Sequence, residues 1–381
     1  MLVSILLAFH LLIPILFTFH LLVTISLARG GAERSCAMLS QMLFDNGHHV
    51  HLVTLNNEVD FAYKGTLFNL GLLKHSNDNI VFRLLRFKKF RKYLLDNSFD
   101  VIIDHRPKNN FYREFFYENF IYRNIKRIYV AHTSKVEDVL TNKPDKFVEI
   151  LNKNITNVSV SKYIQNKIFR NNGVVKSITI YNAYNPTWIK KTDFKIPLVL
   201  ESKEYILSYA RIDDDVKDFK FLIESFTQSN VWKKDKFLVI MGEGKDKEKL
   251  IEISNSLPSS NQIIFLPFTK DPFTIIKKAK FVTITSRYEG FPMVLVESLS
   301  LGTPIVSLDI VSGPSEVIID KFNGLLIVKR DVSLFSEGIA TMFNDLELYN
   351  RCKQNTKTSV KEFSMEKISE KWNKLLQDEL Q

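Results

Sequence analysis

Residues 286–309 read SRYEGFPMVLVESLSLGTPIVSLD, and their pattern sets the architecture of the whole chain. The run just before, KFVTITS (280–286), is β-branched and apolar, as a buried strand would be. Gly290 and Pro292 break it, and Pro292 suits the first turn of a helix. An apolar helix follows, Gly302 ends it, and TPIVSLD (303–309) is a second buried strand. The start of such a helix presents free N–H groups and a partial positive charge. Glu289 and Glu297, with seven residues between them, flank that start. A diphosphate can sit at the helix start. Glu289 could accept hydroxyls on one side of it, and Glu297, one to two turns inside, could hold a pair of hydroxyls such as a ribose. Two acceptors around a phosphate site suit a nucleotide-sugar. The plainer alternative is a pair of ordinary first-turn carboxylates favoured by the helix dipole.

The same alternation extends in both directions. EYILSYARI (204–212), FLVIMGEG (237–244) and QIIFLPF (262–268) read as further strands between helical stretches. In the first half HVHLVTL (49–55) follows a helix from about Ala32 to Asp45. FDVIIDH (99–105), KRIYVAHT (126–133), TNVSVSKYI (156–164) and SITIYNAYNP (177–186) repeat the scheme. Leu21–Ile25 supplies the first strand. Strand alternating with helix predicts α/β units with parallel sheets covered on both faces. Two units side by side predict two facing Rossmann-like domains, with ligands beyond the carboxyl ends of the strands, in the cleft between the domains. The expected division is an apolar extension at 1–20, an N-terminal domain at 21–184 and a C-terminal domain at 185–381 that ends in helices.

Composition fits this reading. The chain has 381 residues, 45% hydrophobic and 25% charged, enough for two ordinary cores. Cys36 and Cys352 match no metal or disulfide framework and suggest a reducing compartment. The net charge of +10 is uneven. Residues 1–184 hold 24 Lys and Arg against 14 Asp and Glu, whereas 185–381 hold 28 against 28. An anionic partner is expected for the first half. Zinc-finger spacings, RNP-type strands and basic zippers are absent, which disfavours nucleic acid and leaves an anionic membrane surface.

The glycines do not support a dinucleotide. Gly242 and Gly244 lack the third glycine of G-x-G-x-x-G, and ARGGAER offers only Gly30 and Gly31. Each still permits close approach of a ligand to backbone at the start of a helix. Arg211, at the end of a strand, and Lys217, six residues on, are cations able to neutralise a leaving diphosphate. Solvated surface charges are the alternative. Asp213–Asp215 (DDD) resembles an Asp-x-Asp metal motif, but its place between strand and helix predicts capping. No metal and no cofactor are expected.

GGAER (30–34), AHT (131–133), IYN (180–182), YARI (209–212) with Lys217, MGEG (241–244), Glu289-x7-Glu297, SGPSEVI (312–318) and NGLLI (323–327) follow one another in the order of a known family. The chain resembles a retaining glycosyltransferase of family four, with the GT-B fold, across most of its length. The resemblance implies that Glu289, with the backbone N–H groups of Gly290 and Phe291, holds sugar hydroxyls. It implies that Glu297 holds the ribose, and that Arg211 and Lys217 grip the diphosphate. Gly31 would bring backbone near the donor phosphate or the acceptor, and His132 would touch the sugar near its reacting carbon. A lone strand-end histidine could equally be a structural hydrogen-bonder. In similar enzymes the leaving phosphate takes the acceptor's proton on the same face, so no protein nucleophile is required. The donor implied is a UDP-linked hexose or N-acetylhexosamine. The acceptor implied is a lipid-linked or polysaccharide chain of cell-surface glycan synthesis. A sugar-nucleotide epimerase of similar architecture and a non-catalytic sugar-nucleotide binder are the competing functions.

FRLLRFKKFRKYLLDN (82–97) predicts a helix with Leu84, Phe87, Phe90 or Arg91, and Leu94 near one face. Arg83, Arg86, Lys88, Lys89 and Lys92 lie largely elsewhere, a basic surface suited to anionic lipid. The first 28 residues contain no Lys, Arg, Asp or Glu, a polarity that suits a membrane span, but Pro14 and His10 weaken a spanning helix. The expected location is cytoplasmic and peripheral on the inner face of the cytoplasmic membrane, with an N-terminal anchor as the lesser reading.

Overall fold

A computed structural model describes residues 18–28, 30–74, 78–185, 187 and 196–380. Most of the apolar extension and the stretch following Asn185 therefore lie outside the described residues. The strands are β1 (Phe19–Thr24), β2 (His49–Thr54), β3 (Thr66–Asn69), β4 (Val101–Asp104), β5 (Lys126–Ala131), β6 (Thr156–Ser159) and β7 (Ser177–Thr179). They continue with β8 (Glu204–Tyr209), β9 (Lys236–Met241), β10 (Ile263–Leu266), β11 (Val282–Ile284), β12 (Ile305–Leu308) and β13 (Gly324–Ile327). Two parallel sheets result. One has seven strands in the order β3-β2-β1-β4-β5-β6-β7, and the other has six in the order β10-β9-β8-β11-β12-β13. The α/β class and the pair of Rossmann-like sheets match the sequence reading. β1 begins at Phe19, so Phe19 and His20, assigned to the extension, are strand residues. Among the described residues, no helix is long and apolar enough to cross a membrane.

The chain forms two compact units. One comprises the residues up to Arg106, Tyr112–Tyr129 and the chain from Leu375; the other comprises Pro107–Phe111 and Val130–Lys374. In the first, Leu22 sits opposite both Leu52 and Ile103 in parallel register, fully buried. Helix α1 (Gly31–Asp45) buries Cys36, Leu39 and Leu43. Helix α2 (Ile80–Asn97) buries Phe90 and Leu94, and Phe87 packs at the edge of the same core. The expected stripe is corrected at its start: Leu84 is 53% exposed. Part of the basic face is paired within the protein. Arg86 and Arg83 turn to Asp78, Arg91 donates to the Ile121 carbonyl at 2.8 Å, and Lys92 pairs with Asp96 at 2.7 Å. Lys88 and Lys89 remain exposed.

Beyond β4 lies a charge cluster that hydropathy gave no reason to expect. Arg106, almost fully buried, donates to Asp104 at 2.6 Å and to Glu114 at 3.1 Å. The Tyr122 hydroxyl donates to Asp104 at 3.2 Å, and the Tyr117 ring lies 3.7 Å from the guanidinium. Burial disfavours the charge on Arg106, but Asp104 and Glu114 overcome it and raise its pKa.

In the second unit the six-stranded sheet is covered on both faces. Ile206, Leu238 and Ile240 point into one core with Leu222, Phe226 and Phe335. Tyr205, Leu207, Val239 and Met241 point into another with Phe273 and Ile276. That period-two split on continuously apolar strands is what a buried parallel sheet requires. The strand order reverses between β8 and β11, which makes the carboxyl ends of these two strands a switch point where α/β sheets bind ligands.

Candidate active site

A small pocket opens at that switch point. Tyr209, Lys217, Phe219, Ser286, Glu289 and Val294 are among its lining residues. β8 ends at Tyr209, and a short helix, Asp214–Lys217, carries Lys217 back over the strand ends. β11 ends at Ile284, and Thr285 pins the two loops together by donating to the carbonyls of Lys217 at 3.0 Å and Asp218 at 3.2 Å. Lys217 Nζ then reaches Glu289 Oε1 at 2.5 Å, and the Ser286 hydroxyl donates to the same oxygen at 2.7 Å. The structure thus joins two residues that lie 72 positions apart in the chain.

The Met293–Ser300 helix starts directly after this loop. Pro292 occupies its N-cap position, one residue earlier than expected, and caps it without a side-chain hydrogen bond. The first-turn N–H groups therefore get no side-chain acceptor from the cap. Glu297 lies in the second turn, 2% exposed, and accepts the Tyr209 hydroxyl at 3.0 Å. Tyr209 also contacts the Val294 carbonyl at 3.2 Å. Burying a carboxylate is costly without such a partner, so Tyr209 belongs to the site although sequence reasoning quoted it only within YARI.

Gly290 is dictated by packing. A Cβ there would lie 1.9 Å from the carbonyl oxygen of His132, which follows β5. The Gly290 carbonyl accepts the Ser312 hydroxyl at 2.7 Å, and Ser312 bonds Ser161 at 2.9 Å. His132 is half-buried beside this contact. The Phe291 ring is buried against Tyr181 and Phe363, with centroids 5.0 and 5.3 Å away. Glu316 anchors the neighbouring turn by accepting the Lys162 N–H at 2.8 Å and the Tyr181 hydroxyl at 2.8 Å.

The Arg211 side chain is 73% exposed, and its charge partner is Asp213 at 3.8 Å. Gly31 opens α1 in the first unit, where a Cβ would meet nothing within 4 Å. Gly242 and Gly244 do permit close approach, but of protein backbone. Cβ atoms there would lie 1.9 Å from the Ala210 carbonyl oxygen and 2.0 Å from that of Ile212.

The DDD stretch acts through its middle residue. Asp214 accepts the Lys220 N–H at 3.0 Å, whereas Asp213 holds the N-cap position without a side-chain hydrogen bond to the helix N–H groups. Asp213, Asp215 and Asp246 present oxygens within 4.8 Å of one another. Lys245 meets Asp215 at 2.7 Å and Asp213 at 3.3 Å, and its hydrogen bond holds the Asp215 carboxyl below the usual range. An ammonium thus stands against two of these three carboxylates and offsets part of their charge.

Sequence reasoning also missed Asp218 and Arg330. Arg330 donates to Asp218 at 2.6 Å, to the Thr285 carbonyl at 3.0 Å and to the Ser286 carbonyl at 2.5 Å. Arg287 adds a second contact to Asp218 at 3.0 Å. Burial raises the Asp218 pKa, and the two arginines oppose that shift. Arg330 thereby clamps the strand end from which Ser286 and Glu289 project. Its sequence signal was faint: one arginine in VKRD, after a strand.

Comparison with known proteins bears on this arrangement. Residues 29–188 match the family model described as Glycosyltransferase Family 4, and residues 189–359 match Glycosyl transferases group 1. An N-acetylgalactosamine-N,N'-diacetylbacillosaminyl-diphospho-undecaprenol 4-alpha-N-acetylgalactosaminyltransferase of Campylobacter jejuni is 28% identical over 373 residues, covering 90% of this chain and 95% of that protein. A lipopolysaccharide 1,6-galactosyltransferase of Escherichia coli is 31% identical over 179 residues, 46% of this chain and 47% of its own. Among solved structures, Anabaena HepE in complex with UDP-glucose superimposes with a TM-score of 0.73 at 16% identity, covering 95% of this chain and 100% of that one. At that identity the likeness is one of fold.

Proposed function

We propose, for a chain that belongs to the family-four-like glycosyltransferases of the GT-B fold, that it moves a hexose or N-acetylhexosamine from a UDP-linked donor to a lipid-linked or polysaccharide acceptor, with retention and without metal. The observation that carries this reading is the convergence of Lys217 and Ser286 on Glu289 beside the start of the Met293–Ser300 helix. The cation and the helix start suit a diphosphate, and the carboxylate beside them suits sugar hydroxyls. Glu297, held by Tyr209, suits a ribose. Relatives named for transfer to an undecaprenol-linked glycan and to lipopolysaccharide support the acceptor class, and UDP-glucose on a protein of like fold supports the donor class.

The bond to be broken joins the anomeric carbon to the bridging oxygen of the β-phosphate. Negative charge gathers on the leaving diphosphate as the sugar becomes oxocarbenium-like. Lys217 and the helix N-terminus offset that charge where it develops, in positions fixed before the reaction. An ammonium has three N–H groups, and Glu289 takes one. In this reading Arg211 swings from its exposed position to join Lys217, His132 lines the sugar site, and Gly31 offers backbone to the donor phosphate or the acceptor. The acceptor's hydroxyl attacks from the face the phosphate leaves, and its proton passes to the departing phosphate oxygen.

Incubating the protein with radiolabelled nucleotide-sugars and a lipid extract tests the proposal. Label transferred to lipid supports it. An epimerised donor, or donor binding without turnover, refutes it in favour of the corresponding alternative. A thermal-shift screen of nucleotide-sugars identifies the donor.

A further inference from the structure

We propose that the first unit docks on an anionic bilayer by inserting an apolar ridge formed by α2 and the segment 112–121, with Lys88 and Lys89 meeting the headgroups. The helix fixes which residues look outward. With Phe90 and Leu94 buried, Val81, Leu84, Leu85, Lys88, Lys92 and Leu95 share the opposite side, at the three- and four-residue spacings of one face. Each of these four apolar side chains is at least 50% exposed. A water-facing helix surface normally carries charge there, and a row of large apolar residues mixed with lysine is the composition of an interfacial helix.

The neighbouring segment extends the ridge. Phe111–Phe116 (α3) runs into a wider π-helical turn, Tyr117–Ile121, that buries Tyr117 and Ile121. Tyr112, Phe115 and Phe120 are left outside, with Phe120 60% exposed. The Phe116 ring joins the two parts, meeting Phe87 of α2 at 5.0 Å and Phe120 at 5.3 Å. Aromatic side chains favour the membrane interface, where one end is apolar and the other wet.

Charge selects the occupant. The acids near this surface are already matched: Asp78 by Arg83 and Arg86, Asp96 by Lys92, and Glu118 by Arg127. Lys88 and Lys89 are then net positive charge beside exposed leucines. A second protein chain would need a shaped apolar counterpart; a fluid anionic bilayer needs none. This inference stands on the surface alone and is read by vesicle binding, so it can fail while the transferase reading holds, and the reverse.

The test is co-sedimentation of the full chain with phosphatidylcholine vesicles, with and without phosphatidylglycerol, at low and high salt. Two variants are compared, Leu84→Ser/Leu85→Ser/Phe120→Ser and Lys88→Gln/Lys89→Gln. The apolar triple should lose roughly tenfold or more of its vesicle partitioning at both salt concentrations. The lysine pair should lose binding only to the anionic vesicles and only at low salt. In a third variant, Phe120→Trp, brominated lipid should quench indole fluorescence beyond any quenching of the parent chain's three tryptophans, a depth signal that a surface-bound chain lacks. Circular dichroism and thermal melting check that each variant is folded. Wild-type binding by the apolar triple overturns the proposal, as does a vesicle-bound Phe120→Trp chain quenched no more than its parent.

Discussion

Gly290 and His132 touch through their backbones so closely that no side chain fits between them: a Cβ on Gly290 would stand 1.9 Å from the His132 carbonyl oxygen. The loop bearing Glu289 is thereby seated against the end of β5. Gly290→Ala must displace one of two backbones, and neither is the far end of a flexible side chain. A loss of roughly 1–3 kcal/mol is expected, together with a fall in kcat as Glu289 moves. A variant with the parent's melting curve and turnover would show that the loop is not held there.

Glu297→Ala should weaken donor binding more than it slows chemistry, because a ribose contact exists in ground and transition states alike. Tyr209→Phe removes one hydrogen bond to Glu297 and should cost about 1 kcal/mol of donor affinity, roughly fivefold. Titration calorimetry with the nucleotide separates the two. Unchanged affinity in Glu297→Ala would remove that residue from the donor site.

Transfer should survive EDTA. Lys217 and a helix N-terminus supply positive charge at the pocket, and Lys245 already offsets the charge of Asp213 and Asp215. Activity abolished by chelator and restored by magnesium or manganese would mean that the acidic cluster does hold an ion during turnover.

Arg330→Gln strips Asp218 of its shortest contact and frees the carbonyls of Thr285 and Ser286. Breaking a fully buried pair costs about 3–5 kcal/mol; the Arg330 side chain is 30% exposed, so solvent screening should reduce this to roughly 2 kcal/mol. The pocket consequence is a looser Glu289 loop, seen as a lower kcat with a smaller change in KM. Arg330→Lys should recover part of the stability and little of the fork geometry. Equal kcat in all three proteins would confine Arg330 to stability.

His20, buried in β1, has its pKa pulled down to about 3 by burial and then by the charge of His48, from an ordinary 6.5. Between those values the unfolded chain takes up a proton that the folded chain refuses. Stability should therefore fall as pH drops from about 6.5 towards 3, by at most about 1.4 kcal/mol per pH unit from this group. Urea melts at pH 7, 6 and 5 measure the slope. His20→Gln should flatten it; an unchanged slope would assign the acid sensitivity to other groups.

The strands were legible because parallel sheets bury both faces and leave unbroken apolar runs such as FLVIM at 237–241. The candidates Glu289 and Glu297 could be set around a helix start, and Lys217 beyond the end of a strand, because strand–turn–helix successions are local patterns. What escaped depends on contacts between distant segments. Nothing around Tyr209 says that its hydroxyl will meet Glu297, and nothing around Arg330 says that it will span Asp218 and two carbonyls. Leu84 was misplaced for a related reason. Its spacing from Phe87 puts it near the buried side, but the core-facing residues of α2 that are fully covered are Phe90 and Leu94, farther along.

The cluster around Arg106 bears on how this protein can vary. Arg106 lies between Asp104 and Glu114 in the interior, Arg113 meets Glu114 at 2.7 Å, and Tyr117 and Tyr122 close the space around them. Losing Arg106 strands the Asp104 carboxylate without its buried cation, whereas losing one acid leaves Arg106 the other. Exchange of Arg106 alone is therefore a dead end, while a joint replacement of all three by apolar residues of like volume remains open. Descendants of this chain should keep Arg106 with at least one of its acids or discard the charges as a set, and a library randomising all three positions together should recover both kinds of survivor and few that keep an acid without Arg106.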